Sequence, residues 1–476
     1  MGETLALAAA RGLHLAAALS AFGTLGFGAL LAPAGDEIVR RRLTALARIS
    51  VALAWLGALI WLPLQAASMA GAPDADGAFA ALPTVLFDTG FGRALLLRLA
   101  LLGVAALLAG PTRSRITWGL AGVLAGAACA LQAKMGHAAA AEDLLLPAAT
   151  ILHILAAGLW LGGLLPLLLV LRDTPDMARR FSGLGLLCVL TLGVTALAQF
   201  WVLIGGIAGL IGTGYGRIAL AKLALFLLLL GIAALNRFRL TPALSGTDPA
   251  RAARRLRLSI AIETGIGLLV LLAAAGLATQ PPAIHDQPDW PFALRPDPDA
   301  LADPRLYRQT LLTLAAIGGA AVLVIAGLVR RRLLWAAVPL AALLCAAAPL
   351  PPLRLLVTPA TPTSYYTAPE GVTAASIRLG AALFQTQCAD CHGSDRRGQG
   401  PLVSGPARPP DLTTSLVWER AEGDLFWRIG HGIAAPDGRQ TMPGFADRLD
   451  ESGLWALIDY LRAGAPGSTG PGPSHH

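Results

Sequence analysis

The chain has 476 residues, of which 55% are hydrophobic and 14% charged, against about 25% charged in an ordinary soluble domain. With a mean hydropathy of +0.62, this excludes a soluble globular enzyme over most of its length. The net charge of +8 excludes little by itself, but the Arg side chains cluster between apolar runs, a pattern of membrane topology rather than of nucleic-acid binding.

Taken in chain order, long uncharged runs predict ten helical spans near residues 12–32, 49–71, 94–110, 116–135, 148–171, 181–211, 218–236, 258–280, 309–329 and 333–350. About 20 apolar residues make one crossing; the last run carries Pro339 and Pro349, which weaken it. No basic segment precedes the first run and no clear small-residue site ends it, so it reads as a retained helix and not a signal peptide. Lys and Arg alternate between loops. One set, with Arg40–Arg42, Arg48, Arg113, Arg115, Arg172, Arg179, Arg180, six Arg between 237 and 257, and Arg330–Arg332, holds 18; the other holds 7. The richer set is expected in the cytoplasm. The N-terminus and everything beyond residue 350 are then expected in the periplasm.

An internal repeat runs through the membrane part. His14-Leu-Ala-Ala-Ala recurs as His153-Ile-Leu-Ala-Ala, and Thr89-Gly-Phe-Gly-Arg93 with Arg98 recurs as Thr213-Gly-Tyr-Gly-Arg217 with Lys222. The unit is four helices, so the two copies are parallel and matching residues lie at matching depths. Imidazole and charged groups inside a bilayer are costly and mark sites. His14 and His153 therefore become candidates for a shared metal site, with Arg98 and Lys222 beside them. Met135 and His137 add a soft sulfur and an imidazole suited to copper. Glu263 is the only acidic residue well inside a span, with a pairing, proton-relay or metal-path role.

His153 to Gly163, Thr213 to Leu227 with Arg217 and Lys222, and Arg257 to Pro281 with Glu263 resemble the copper-resistance protein D family of bacterial inner-membrane proteins, best over 148–282. The resemblance implies a copper-transport or copper-homeostasis role and makes His14 and His153 candidate copper ligands. The residue types leave a second possibility open. Four cations beside two histidines would also suit the propionates of a b-type haem.

Composition changes after residue 350. Residues 353–370 read as a Pro/Thr-rich extended linker, 371–464 as a small soluble domain, and 465–476 as a disordered tail. Three cysteines, Cys129, Cys188 and Cys345, lie singly in apolar runs and read as buried thiols. The other two form Cys388-Ala-Asp-Cys391-His392, a C-x-x-C-H haem-attachment motif. With Gly380 and Phe384 before it and Gly400-Pro401-Leu402 and Thr441-Met442-Pro443-Gly-Phe445 after it, the segment resembles class I cytochromes c. That resemblance implies thioethers from Cys388 and Cys391, His392 and Met442 as axial ligands, and Pro401 in the proximal loop steadying His392. Such a ligand pair suits electron transfer.

The expected architecture is all-α: a polytopic transmembrane bundle of about ten spans, with two parallel four-helix repeats (about 1–136 and 148–282), a periplasmic loop and two extra spans (283–352), and a C-terminal cytochrome c domain. The expected function is a membrane-bound c-type cytochrome carrying single electrons at the periplasmic face of the bacterial inner membrane, coupled to copper handling. It is more an electron-transfer protein than a substrate-transforming enzyme. Expected partners are a periplasmic copper protein or a redox partner cytochrome or oxidase, and no nucleic acid. The alternative is a membrane redox enzyme whose b-type haem, held by His14 and His153, passes electrons from quinol to the c haem.

Overall fold

A computed structural model describes all residues except 1, 33–35, 72–74, 172–175, 298, 331–332, 405–407, 436 and 465–476. The tail expected to be disordered therefore lies outside the described residues. The chain divides into two units at Asp286/Gln287.

The first unit is built from α1 (Gly2–Leu30), α2 (Glu37–Ala70), α3 (Ala75–Pro83), α4 (Gly90–Leu108), α5 (Arg115–Ala130), α6 (Leu145–Val170), α7 (Asp176–Leu203), α8 (Ile207–Gly212), α9 (Gly214–Leu235), α10 (Thr241–Ala243) and α11 (Pro249–Leu277). Among the described residues, eight helices of this unit are long and apolar enough to cross a membrane. The predicted sixth run, 181–211, is divided: Gly205, at φ 75°, ends α7 and α8 follows.

Helix α1 is central and packs against α2, α5, α6 and α11. Its crossing with α6 is made by glycine. A Cβ on Gly23 would run into the backbone of Gly158, Gly162 and Gly163, and a Cβ on Gly162 into the Leu19 carbonyl. Gly23 and Gly162 are related by the same offset as His14 and His153, so the repeat axis passes through this contact. Small residues are what allow two helix backbones to touch in a membrane. Gly162→Val is expected to destabilise the membrane unit by about 1–3 kcal/mol, seen as a lower midpoint in a detergent thermal scan.

The second repeated motif is a helix start. Thr89 Oγ1 accepts from the Gly92 amide at 3.0 Å and donates to the Val85 carbonyl at 2.5 Å. Thr213 Oγ1 does the same with Gly216 at 2.9 Å and Gly209 at 2.7 Å. Each N-cap satisfies an orphan donor of the helix, and Gly92 and Gly216 leave room for the carbonyls of the preceding turn. This fixes where Arg98 and Lys222 stand on α4 and α9.

In the second unit, α12 (Pro304–Val329) and α13 (Leu334–Ala346) form a hairpin. Helix α12 is long enough to cross a membrane. The tenth predicted span is shorter than expected: 13 residues rise about 20 Å, against about 30 Å of hydrocarbon. Pro349, Pro351 and Pro352 follow its end and cannot continue it. The strand before the hairpin, β1 (Leu294–Pro296), pairs antiparallel with the strand after it, β2 (Val357–Pro359). The chain thus leaves from and returns to one place.

The C-terminal part comprises α14 (Ala374–Gln387), α15 (Ala389–His392), α16 (Glu422–His431), a two-stranded ribbon of β3 (Ile433–Ala434) and β4 (Gln440–Met442), and α17 (Glu451–Ala463). Helix α14 starts at a Thr373/Ser376 capping box and crosses α17 where Gly380 meets the Ala456 carbonyl. Phe384, Val417, Leu425, Ile429, Phe445, Trp455 and Leu457 form its core.

Residues 353–370, expected as an extended linker, are fastened down along much of their length. The Asp424 carboxylate, in the first turn of α16, accepts from Thr361 Oγ1 at 3.0 Å, from Ser364 Oγ, and from Arg295 of β1 at 3.2 Å. Thr363 Oγ1 donates to the Gly423 carbonyl at 2.6 Å and the Trp290 amide to the Pro362 carbonyl at 2.8 Å. The reason is chemical: Thr and Ser hydroxyls find a buried carboxylate that needs donors. Arg295 and Asp424 side chains are each 12% exposed. Asp424→Ala, which leaves Arg295 unpaired, is expected to cost about 3 kcal/mol and to open residues 353–370 to protease.

Candidate functional site

The C-terminal site is a turn of helix with two thiols and an imidazole. The Cys388 amide closes α14 on the Phe384 carbonyl, and the Cys391 and His392 amides return to the Cys388 carbonyl at 3.2 and 2.9 Å. Cys388 and Cys391 are not joined in a disulfide, and burial, reinforced by the neighbouring Cys391, pushes the Cys388 thiol up to about 11. Gly393, at φ 75°, then turns the chain away. Burial also lowers the proton affinity of His392, leaving a neutral ring with a lone pair for a metal.

His392 Nδ1 is buried and has no hydrogen-bond partner among the described residues. Pro401 is exposed, and its neighbours Gly400 and Leu402 bond to the Cys391 and Asp390 carbonyls at 3.1 and 2.9 Å. These bonds cap the last turn of α15.

Met442 ends β4 opposite Ile433 and packs, half-buried, against the same core as Cys388, Leu412 and Trp418. His431 stacks on Trp427 at 3.6 Å and points its Nδ1 at the Trp427 carbonyl, on the exposed surface. Sequence reasoning missed Arg428 and Arg462. Their Nε atoms, and Trp418 Nε1, are buried donors without an acceptor, and Arg462 lies 4.8 Å from the Trp418 ring. Two thiols and an imidazole on one turn, a thioether on the same apolar core, and orphan donors suited to carboxylates fit a covalently held haem.

The membrane site divides between the halves of the repeat. His14 is fully buried and its Nδ1 lies 2.7 Å from the Ala54 carbonyl of α2. A carbonyl only accepts, so Nδ1 carries the proton and Nε2 is a bare lone pair; that atom is buried and has no partner. His153 Nδ1 lies 2.9 Å from Thr195 Oγ1 of α7. The Thr195 hydroxyl already donates to the Thr191 carbonyl at 2.8 Å, so here too the ring donates from Nδ1 and keeps Nε2 as its lone pair. Equivalent histidines thus reach one tautomer through different partners. That tautomer is the metal-binding one.

Arg98, fully buried, lies within Coulombic reach of His14. It donates to Gln132 Oε1 and, at 3.8 Å, to Met135 Sδ. Lys222 stands in the same relation to His153. Met135 and His137 have different surroundings: Met135 belongs to the core with Trp61 and Leu95, while His137 lies edge-on to Tyr215 at 6.2 Å. Gly136, at φ 80°, turns the chain between them. Glu263 is buried, accepts from Asn236 at 2.8 Å, and lines a cavity of about 340 Å³ with Trp160, Phe181 and Ser182. Among the described residues no three of His, Cys, Asp and Glu converge as a preformed metal cage.

Residues 1–145 match a family model described as Copper resistance protein D-like, N-terminal domain, and residues 175–277 one described as Copper resistance protein D. Residues 375–461 match a model described as Cytochrome C oxidase, cbb3-type, subunit III. The chain is 32% identical over 248 residues to Copper resistance protein D of Pseudomonas syringae pv. tomato, covering 48% of this chain and 80% of that one. It is 33% identical over 103 residues to Cytochrome c550 of Pseudomonas aeruginosa, covering 21% of this chain and 64% of the relative. To Copper transport protein CutJ of Bacillus subtilis it is 29% identical over 294 residues, 58% of this chain and 52% of that one. No solved structure matches the chain.

Proposed function

The chain belongs to the copper resistance protein D family, and from that premise we propose that it is a bacterial inner-membrane c-type cytochrome whose membrane half binds and moves copper while its C-terminal domain carries single electrons at the periplasmic face. The observation that carries the reading is the matched tautomer of His14 and His153: each ring is anchored through Nδ1 and offers Nε2. Neutral imidazole suits copper, and the Met135 sulfur suits its reduced form. The haem, held by Cys388 and Cys391 with His392 and Met442 as axial ligands, supplies one-electron chemistry without substrate chemistry.

The Lys and Arg distribution supports a periplasmic cytochrome, and so does the β1–β2 pairing, which returns the chain to the side from which α12 starts. A periplasmic copper protein, or a cytochrome or oxidase, is the partner this arrangement suits. A b-type haem between the histidines suits it less. His14 is fully buried, Trp61 is 1% exposed and Leu95 is 1% exposed, a packing that favours an ion over a porphyrin.

A pyridine haemochrome spectrum with metal analysis of the purified full chain tests the reading. It predicts one c-type haem and bound copper. A b-type component with no copper would contradict it.

A further inference from the structure

The surroundings of His14 contain more positive charge than a membrane core can hold alone. Arg98 is fully buried, and among the described residues only its Nη1 is engaged; Nε and Nη2 have no acceptor there. Arg11, one turn before His14 on α1, is 8% exposed. Its Nη1 donates to the Ala278 carbonyl at 3.2 Å, and its Nε has no acceptor. The Arg11 guanidinium lies 5.5 Å from the Trp61 ring, which lies 5.6 Å from the His14 ring. The two guanidinium groups are within Coulombic reach of each other and of His14.

Among the described residues, neither Arg11 nor Arg98 forms an ion pair with an Asp or Glu. A guanidinium keeps its proton. Two such charges repel each other and each has lost its hydration, so the cluster needs a negative partner. Three orphan donor nitrogens, Nε of Arg11 and Nε and Nη2 of Arg98, supply what an anion would bind. Close packing by Trp61 and Leu95 limits its size.

We propose that Arg11 and Arg98 bind a small monovalent anion of the halide class beside His14. The site belongs to the first half of the repeat alone: Lys222 replaces Arg98 in the second, and Thr150 stands where Arg11 would be. Where His14 Nε2 takes copper(I), the same anion offsets part of the added charge. That last consequence rests on the copper reading; the anion site itself does not.

The test is equilibrium binding of ³⁶Cl⁻ to the purified full chain in detergent with a chelator present, so that copper plays no part. The expected result is one saturable chloride per chain, displaced by bromide, weakened at least tenfold by Arg98→Gln and by Arg11→Gln, and retained by Arg93→Gln on the exposed side of α4. Haem absorbance and a single gel-filtration peak establish that each variant is folded. Absence of saturable binding in the unmodified chain overturns the proposal whatever the variants do. So does unchanged affinity in both Arg variants, or a co-purifying non-covalent haem whose carboxylates take the place of the halide. Loss of copper from His14→Ala with chloride binding intact separates this site from the copper site.

Discussion

Replacing Cys388 and Cys391 together by serine is expected to leave the chain with no covalently attached haem, measured as loss of the haem-stained band after denaturing electrophoresis. The expectation follows from the local helix. Cys388 ends α14 and Cys391 lies three residues on, with both amides bonded into one continuous turn. Serine preserves the turn but cannot form a thioether. Met442→Ala should behave differently. Met442 sits at the end of β4, held by its pairing with Ile433, and the helix carrying His392 does not depend on it. Haem should stay attached while its midpoint potential falls by on the order of 0.1 V, because a thioether ligand raises the potential. A Met442→Ala protein with unchanged potential would remove Met442 from the ligand set.

The second large effect is expected in the membrane. His14→Ala and His153→Ala should each lower copper affinity at least tenfold, or about 1.4 kcal/mol, with the c-type haem content unchanged. His14→Gln and His153→Gln separate ligation from packing. Glutamine fills much of the same space and hydrogen-bonds, yet lacks the imidazole lone pair. Loss of copper in both substitutions points to Nε2; rescue by glutamine would reduce the histidines to helix-packing residues. Thr195→Val is the subtler probe, because it removes the acceptor that holds the His153 tautomer and should weaken copper less than His153→Ala does.

Much of this was legible in the sequence, for identifiable reasons. Hydropathy located the long helices because a bilayer imposes its thickness on composition, and the repeat located His14 and His153 because two copies of one fold must put equivalent residues at equivalent places. The C-x-x-C-H motif was legible because its spacing is itself the chemistry. What was not legible depended on contacts between distant segments. Gln132 comes to Arg98 from just past the far end of α5, 34 residues on, and nothing in the neighbours of either position marks the pair. Asn236 and Thr195 are ordinary helix residues until Glu263 and His153 are placed beside them. Pro401 follows the haem motif at the expected distance and stays exposed, while its neighbours Gly400 and Leu402 cap α15, a contact that the spacing alone does not announce. The Pro/Thr-rich stretch 353–370 looked free because its acceptor, Asp424, lies about 60 residues away.

The central claim is that copper in the membrane half and the single-electron carrier in the C-terminal domain work on one process. The direct measurement is anaerobic stopped-flow absorbance of the oxidised full chain mixed with one equivalent of chelator-buffered copper(I). Each copper(I) gives up one electron to become copper(II), and each ferric c haem takes one to become ferrous. Rapid reduction of about one haem per copper is expected in the unmodified chain, and at least tenfold slower reduction in the His14→Ala/His153→Ala double variant. Equal rates in the two proteins, or no reduction in either, would contradict the claim.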